Sequence, residues 1–302
     1  ITATATDATG NLSSASAAVA FTVDTQPPAA PTLALESDTG TSSTDGITSA
    51  NTVNVIGLES GAIWEYRVDG GAWSAGSGTS FSLTSGAHTY QVRQTDAAGN
   101  VSGSSDALAY TLDSAGPTVT ITDDRSGTTN GLITYTFTFS EAVVGFSAAD
   151  ITVGNGTKGV FTQLSETAFT LTVTPDAAEA GNVTVDVAAG AAQDLAGNNS
   201  LAATQNVQAF DTLAPSAPSV GALSALTNDN TVAISITAEA GSTVRVYDGA
   251  TLLGIATEEA AGTFVLTTSP LADGAHSITA TATDATGNLS SASAAVAFTV
   301  DT

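Results

Sequence analysis

Cysteine and methionine are both missing from this chain of 302 residues. Without cysteine, neither a disulfide framework nor thiolate chemistry is available. The lack of methionine, even at residue 1, leads us to expect a piece internal to something longer. Basic residues are almost missing too. Five Lys and Arg stand against 29 Asp and Glu, a formal charge of −24. So few cations cannot neutralise a phosphate backbone, which excludes nucleic acid as a partner. The same charge repels anionic lipid headgroups. No apolar run approaches the roughly 18 residues of a membrane span, and no signal peptide is present. Membrane insertion is therefore not expected of this fragment, and any export signal or anchor should lie outside it.

Hydrophobic residues make up 42% of the chain, enough to build cores, so it is not a disordered acidic polymer. Charged residues are only 11%. The polar remainder is Thr, Ser, Asn and Gly, which suit solvent faces of strands and turns, while the helix formers Lys, Arg and Gln are scarce. Small modules without disulfides often need another staple, and a metal is the usual substitute. Hard divalent cations prefer the oxygen ligands that an acidic surface supplies.

Internal repetition dominates the sequence. Residues 1–25 recur letter for letter at 278–302, an offset of 277. A looser repeat, Asp-x-x-Gly-Asn, begins at Asp7, Asp96, Asp194 and Asp284, in steps of 89, 98 and 90 residues. Each copy is followed 17 residues later by another aspartate: Asp24, Asp113, Asp211 and Asp301. Proline-bearing junctions follow the first three, at Gln26-Pro27-Pro28, Gly116-Pro117 and Leu213-Ala214-Pro215. Proline fixes φ and removes a donor, so it ends sheet pairing and stiffens a short connection. Residues 1–25 then read as the closing strands of a partial module. Complete modules are expected at 26–113, 114–211 and 212–302, the middle one of a second subtype. About 90 residues suits a sandwich of seven short strands.

Within the modules the period is two. Val232, Ile234 and Ile236 alternate with polar residues, as do Ile278, Ala280 and Ala282, and Val296, Phe298 and Val300. Tyr135, Phe137 and Phe139 repeat the pattern, as do Phe169, Leu171 and Val173. Such alternation predicts half-buried antiparallel strands. Asp69-Gly70 and Asp248-Gly249 are hairpin-turn signals. Single helical turns are expected at 146–151 and 177–180, and no sustained helix anywhere. The fold class is all-β: tandem immunoglobulin-like antiparallel β-sandwich modules in an elongated array.

The recurring aspartates carry the chemistry. In Asp-x-x-Gly-Asn the glycine permits a left-handed turn, and the Asp and Asn side chains converge on one side of it. Further acids follow each junction: Glu36, Asp38 and Asp45 after Asp24, Asp123 and Asp124 after Asp113, and Asp229 after Asp211. If these loops meet the junctional aspartate ahead of them, the cluster would repel itself without a cation. Ca²⁺ takes about 6–8 oxygen ligands, so it is the expected metal. The competing reading is that Asp, Asn and Gly are ordinary turn residues whose side chains cap their own backbone. The spaced acidic pattern of an EF-hand is missing.

No enzyme is expected. The two histidines, His88 and His276, each lie 8 residues before a repeat aspartate and both sit in Gly-Ala-His. They occupy one structural slot of two modules, and no nucleophile elbow, phosphate loop or zinc spacing accompanies them. Trp64 reads as core. Trp73 reads as packing or as a platform on which a sugar would stack.

The run Thr-Ala-Thr-Asp284-Ala-Thr-Gly287-Asn288, with Asp211-Thr-Leu-Ala-Pro215-Ser-Ala-Pro218, resembles bacterial Ig-like repeats of giant RTX and biofilm-associated surface adhesins. Tyr135-Thr-Phe-Thr-Phe-Ser140-Glu141 and Phe146-Ser-Ala-Ala-Asp150 are similar to another subtype in the same proteins. The resemblance implies export by a type I system to the bacterial cell surface. It also implies a structural role in adhesion and biofilm formation, with calcium at module junctions. Its expected ligands are Asp24, Asp113, Asp211 and Asp301 with Asp7, Asp96, Asp194 and Asp284. Neighbouring modules of the same chain are the expected partners. Direct binding of a cell-surface glycan or protein, and self-association into a filament, remain alternatives.

Overall fold

In the computed structural model residues 1–302 are all described, and the chain falls into two compact units. The first holds residues 1–116 with 193–198, and the second holds 117–192 with 199–302. Strands make up almost all the regular structure. The one helical element is a 3₁₀ turn at Ala148–Asp150, where Ser147 and Asp150 form a reciprocal capping box.

The first unit contains a two-sheet sandwich. Its strands are β1 (Thr32–Leu35), β2 (Ile47–Thr48), β3 (Thr52–Ile56), β4 (Ile63–Val68), β5 (Ser74–Ala75), β6 (Ser80–Ser82), β7 (Gly86–Thr95) and β8 (Leu108–Leu112). One sheet has the order β1-β3-β6 and the other β2-β8-β7-β4-β5. Leu33, Val53, Val55, Trp64, Tyr90, Val92 and Leu112 close the core between them. The alternation of β7 buries Tyr90, Val92 and Gln94 and turns the residues between them outward. Gln94 is a polar residue in an apolar slot. Its side chain donates to the Ala29 and Gly57 carbonyls at 2.8 and 3.0 Å and accepts from Glu59 N–H at 2.8 Å, tying the incoming linker to the sandwich.

In the second unit, the sheet 156–163, 168–175, 133–139, 119–123 packs against 151–154, 180–187, 206–211. Tyr135, Phe137, Phe139, Phe146, Phe169 and Phe210 dominate its core. The next sandwich joins 219–220, 233–237, 263–267, 257–260 to 226–227, 296–300, 274–283, 243–248, 251–255. One feature recurs in all three sandwiches. A short segment after the first strand pairs parallel with the last strand, as Thr48↔Leu112, Thr129↔Phe210 and Thr227↔Val300.

One expectation is corrected. Residues 177–180 are not a helical turn. Ala178 takes φ of +59°, which breaks a right-handed helix, and the bend carries the chain from one sheet to the other. Residues 1–25 hold one isolated antiparallel bridge, Thr6 to Leu12, and no named strand. Phe21 and Val23 are 62% and 72% exposed, whereas their copies Phe298 and Val300 are 3% and 1% exposed. Phe298 and Val300 belong to the core of the last sandwich. What survives in both copies is local: Ser13 and Ser16 accept from the Ala5 and Ala3 N–H groups, as Ser290 and Ser293 do from Ala282 and Ala280.

Candidate cation site at the module joints

Each Asp-x-x-Gly-Asn segment folds into the same turn. Asp96 Oδ1 accepts from the N–H groups of Ala98 and Asn100 at 2.9 and 2.8 Å, and Oδ2 accepts from Asn100 Nδ2 at 2.9 Å. Gly99 takes φ of +96°, a conformation open to glycine with no Cβ penalty. Asp7, Asp194 and Asp284 accept from Asn11, Asn198 and Asn288 in the same two ways. To this extent the turn reading is right: the aspartate organises its own loop.

The asparagine also reaches outward. Asn100 Nδ2 donates to the Asp24 carbonyl at 3.1 Å, Asn198 to that of Asp113 at 2.9 Å, and Asn288 to that of Asp211 at 2.9 Å. In every case the acceptor is the junctional aspartate that closes the preceding module. The carboxylates of Asp24, Asp113 and Asp211 each accept from the N–H two residues on, at 3.0 Å, which turns the chain into the linker.

These hydrogen bonds favour the ionised form of Asp7, Asp96 and Asp284. Asn100 and the surrounding N–H groups hold the Asp96 carboxyl below its ordinary value. Hydrogen bonds from Asn11 and Thr9 hold Asp7 well below the usual carboxylate range. For Asp284 burial pushes upward, but the bonds from Asn288 and Thr286 outweigh it. Because these folded-state values are depressed, the stabilisation is present above about 3.8 and is lost as the pH falls through the folded value.

The acids of the opening loops are not placed with the junction ahead of them. β7 has ten residues and so spans about 33 Å from one pole of its sandwich to the other. β1 begins beside the end of β7, where Gln94 holds the Ala29 carbonyl, and runs the opposite way, so the loop after it lands at the far pole. There Asp113 N–H donates to the Thr48 carbonyl, and Thr48 Oγ1 to that of Ser37. Asp38 and Asp45 therefore accompany Asp113 rather than Asp24, and Glu36 lies beyond the far end of β1. Asp123 and Asp124 likewise sit at the end of their module that carries Asp211, whose N–H donates to the Thr129 carbonyl. Asp229 lies beside Thr227, whose carbonyl accepts from Asp301 N–H. The acids thus gather with the joint that follows each module, not the one before it.

Asp113 and Asp194 are brought together, with carboxylate oxygens within 4.8 Å of each other and Asp194 only 1% exposed. None of the four ion pairs in the structure involves either residue. Beside them the 36–46 loop docks onto residues 195–197. Thr39 Oγ1 donates to the Ala196 carbonyl at 2.7 Å, and Thr41 N–H to that of Leu195 at 3.2 Å. Asp38 Oδ1 is buried in the same loop without a hydrogen-bond partner. The reach of Asn100, Asn198 and Asn288 to the preceding module had no separate sequence signal, since the motif marks only the turn. Trp64 is core, donating Nε1–H to the Gly78 carbonyl at 2.8 Å. Trp73 carries the Arg67 and Arg93 guanidinium groups 4.7 and 4.4 Å from its ring centroid, so its π system is already engaged.

The repeated sandwich agrees with the family comparison. Two families described as "Bacterial Ig-like domain" match, one at residues 113–210 and one at 26–114 and 214–302. The chain belongs to the bacterial Ig-like domains. Among curated proteins this Ig-like array is 34% identical over 269 residues to Exoglucanase B of Cellulomonas fimi. That match covers 78% of the chain but 23% of the relative, so the chain spans less than a quarter of that protein. Among solved structures, a tetra-tandem repeat in the extending region of a large adhesion protein is 21% identical. It covers 99% of this chain and 80% of that one, with a TM-score of 0.33. The BSP domain of a biofilm-associated protein is 19% identical over 73% of this chain and 43% of that one, with a TM-score of 0.25. No helix is long and apolar enough to cross a membrane.

Proposed function

We propose that this array is an extender segment of a bacterial cell-surface adhesin, structural rather than catalytic, and that Ca²⁺ bound at its joints stiffens it. The observation that carries the reading is the Asp113–Asp194 pair. Two carboxylates within 4.8 Å, one of them buried, repel each other unless a cation is shared between them. The donor set fits a hard divalent ion, because carboxylate oxygens surround the joint and no thiolate is present. The buried and unpartnered Asp38 Oδ1 in the same loop points the same way. Asp113 and Asp194 would hold the ion, whose charge would cancel their repulsion. Asn198 would keep the loop carrying Asp194 against the end of the preceding module.

The same frame recurs at Asp24 with Asn100 and at Asp211 with Asn288, so the proposal extends to every joint of the array. A charge of −24 spread along a chain of small modules also disfavours self-collapse and keeps such a segment solvated. Small-angle scattering of the whole chain with Ca²⁺ and with chelator tests the reading. The maximum dimension is expected to increase with Ca²⁺, and the same dimension in both conditions would overturn it.

A further inference from the structure

The two histidines share one built environment that neither the joint nor the sandwich core requires. At the start of β7, His88 places Nδ1 2.7 Å from Asp69 Oδ2 and Nε2 3.1 Å from the Ser85 carbonyl. At the start of strand Gly274–Thr283, His276 places Nδ1 2.6 Å from Asp248 Oδ2 and Nε2 2.9 Å from the Ala272 carbonyl. In both modules the other oxygen of the same aspartate accepts the next N–H along the strand, from Thr89 and Ser277, at 2.8 Å.

A neutral imidazole has one N–H donor and one lone pair. Here both ring nitrogens face an oxygen that can only accept. The neutral ring satisfies one of them and turns a lone pair against the other, whereas the imidazolium donates to both. We propose that His88 and His276 are cationic staples, each clamping the loop before its strand to the neighbouring hairpin, and that loss of the proton releases that loop.

The surroundings favour the charged form. The Asp69 and Asp248 hairpins supply the facing carboxylates. Asp45 and Tyr110 line the same cleft as His88, and the Tyr90 ring stands edge-on at 6.4 Å. Asp273 lies in the loop that His276 holds, and the Phe298 ring packs against that imidazole at 5.3 Å. The cations on the adjoining strands are turned elsewhere. Arg67 bonds Gln91 on the outer sheet face, and Arg245 pairs opposite Thr281, out of phase with buried Val246 and Ala280. Their aspartate partners raise the pKa of both histidines above 6.5. With a raised folded value, the staple is fully formed below about 6.5 and is lost as the pH rises through the folded pKa.

The staples sit where each sandwich delivers its closing aspartate. Gly86 pairs with Leu112, next to Asp113, and Gly274 pairs with Val300, next to Asp301. The middle module carries no histidine, so the device belongs to the two modules of one subtype.

Nuclear magnetic resonance on the whole chain tests the proposal, following the imidazole nitrogens and the amide protection factors over roughly pH 5 to 9. Both rings are expected to titrate above 6.5 with both nitrogens protonated at the acid end. The protection of Thr84 and Leu271, amides that flank the two loops, should fall with the same midpoints. A ring that titrates at or below 6.5, or protection that ignores the titration, overturns the proposal. Asp248→Asn keeps the shape of the hairpin and should move the His276 pKa and the Leu271 transition down together. His276→Gln should make Leu271 protection independent of pH. If that variant fails to fold, Asp248→Asn decides alone, and a Leu271 transition that stays in place sinks the idea.

Discussion

The Asn198 side chain donates to the Asp113 carbonyl at 2.9 Å, joining residues 85 positions apart. The bond is made by a residue whose other role is to close its own turn on Asp194. One amide group thus serves the loop and the joint, which explains why the motif ends in Asn. An aspartate there would offer no donor to either acceptor.

The third joint gives a clean test of that dual role. Asn288→Ala removes the donor to both Asp284 Oδ2 and the Asp211 carbonyl. Net losses of about 1 kcal/mol per hydrogen bond predict a local cost of about 1–2 kcal/mol. Hydrogen exchange should show it as faster exchange of the Leu213 amide, which bonds Asp211 Oδ1, with the core amide of Ile278 unchanged.

Gln94 makes a second prediction. It is fully buried and bonds Ala29, Gly57 and Glu59. Gln94→Leu keeps the volume but leaves two carbonyls and one N–H without their partner. At about 1 kcal/mol or more for each, the first sandwich should lose about 3 kcal/mol. Chemical denaturation measures this, and the loss should be confined to the transition of that sandwich.

Much of the fold was legible because alternation reports burial directly. Phe137, Phe169 and Ile278 lie on the inward faces that the period of two assigns them. The 3₁₀ turn at Ala148–Asp150 follows from Ser147 and Asp150, a capping pair three residues apart. Gln94 was not legible, since a polar residue in an inward slot breaks the pattern. Nor was the placement of Asp38 and Asp45, because proximity in sequence to Asp24 says nothing about the pole at which β1 releases the chain.

Tyr135 supplies a stability prediction of opposite sign. Its ring is fully buried and its hydroxyl has no hydrogen-bond partner, while burial and then the Asp123 and Asp124 charges push the phenol pKa upward. Tyr135→Phe removes an unsatisfied polar group and keeps the ring. The module should gain about 1 kcal/mol, read as a higher melting temperature in calorimetry.

Gly40 and Gly70 separate backbone strain from contact. Both have positive φ, +98° and +69°. A Cβ at Gly70 would meet nothing within 4 Å, so Gly70→Ala should cost only the left-handed penalty of about 1–2 kcal/mol. A Cβ at Gly40 would lie 2.0 Å from the Leu195 carbonyl oxygen, a main-chain atom that cannot rotate away. Gly40→Ala must therefore shift the 36–46 loop off residues 195–197 as well as strain it. Denaturation should show the larger loss, and the Thr41 amide, which bonds Leu195, should lose its exchange protection in that variant alone. Equal costs for the two substitutions, with Thr41 still protected, would mean that the loop tolerates displacement and does not lock onto its neighbour.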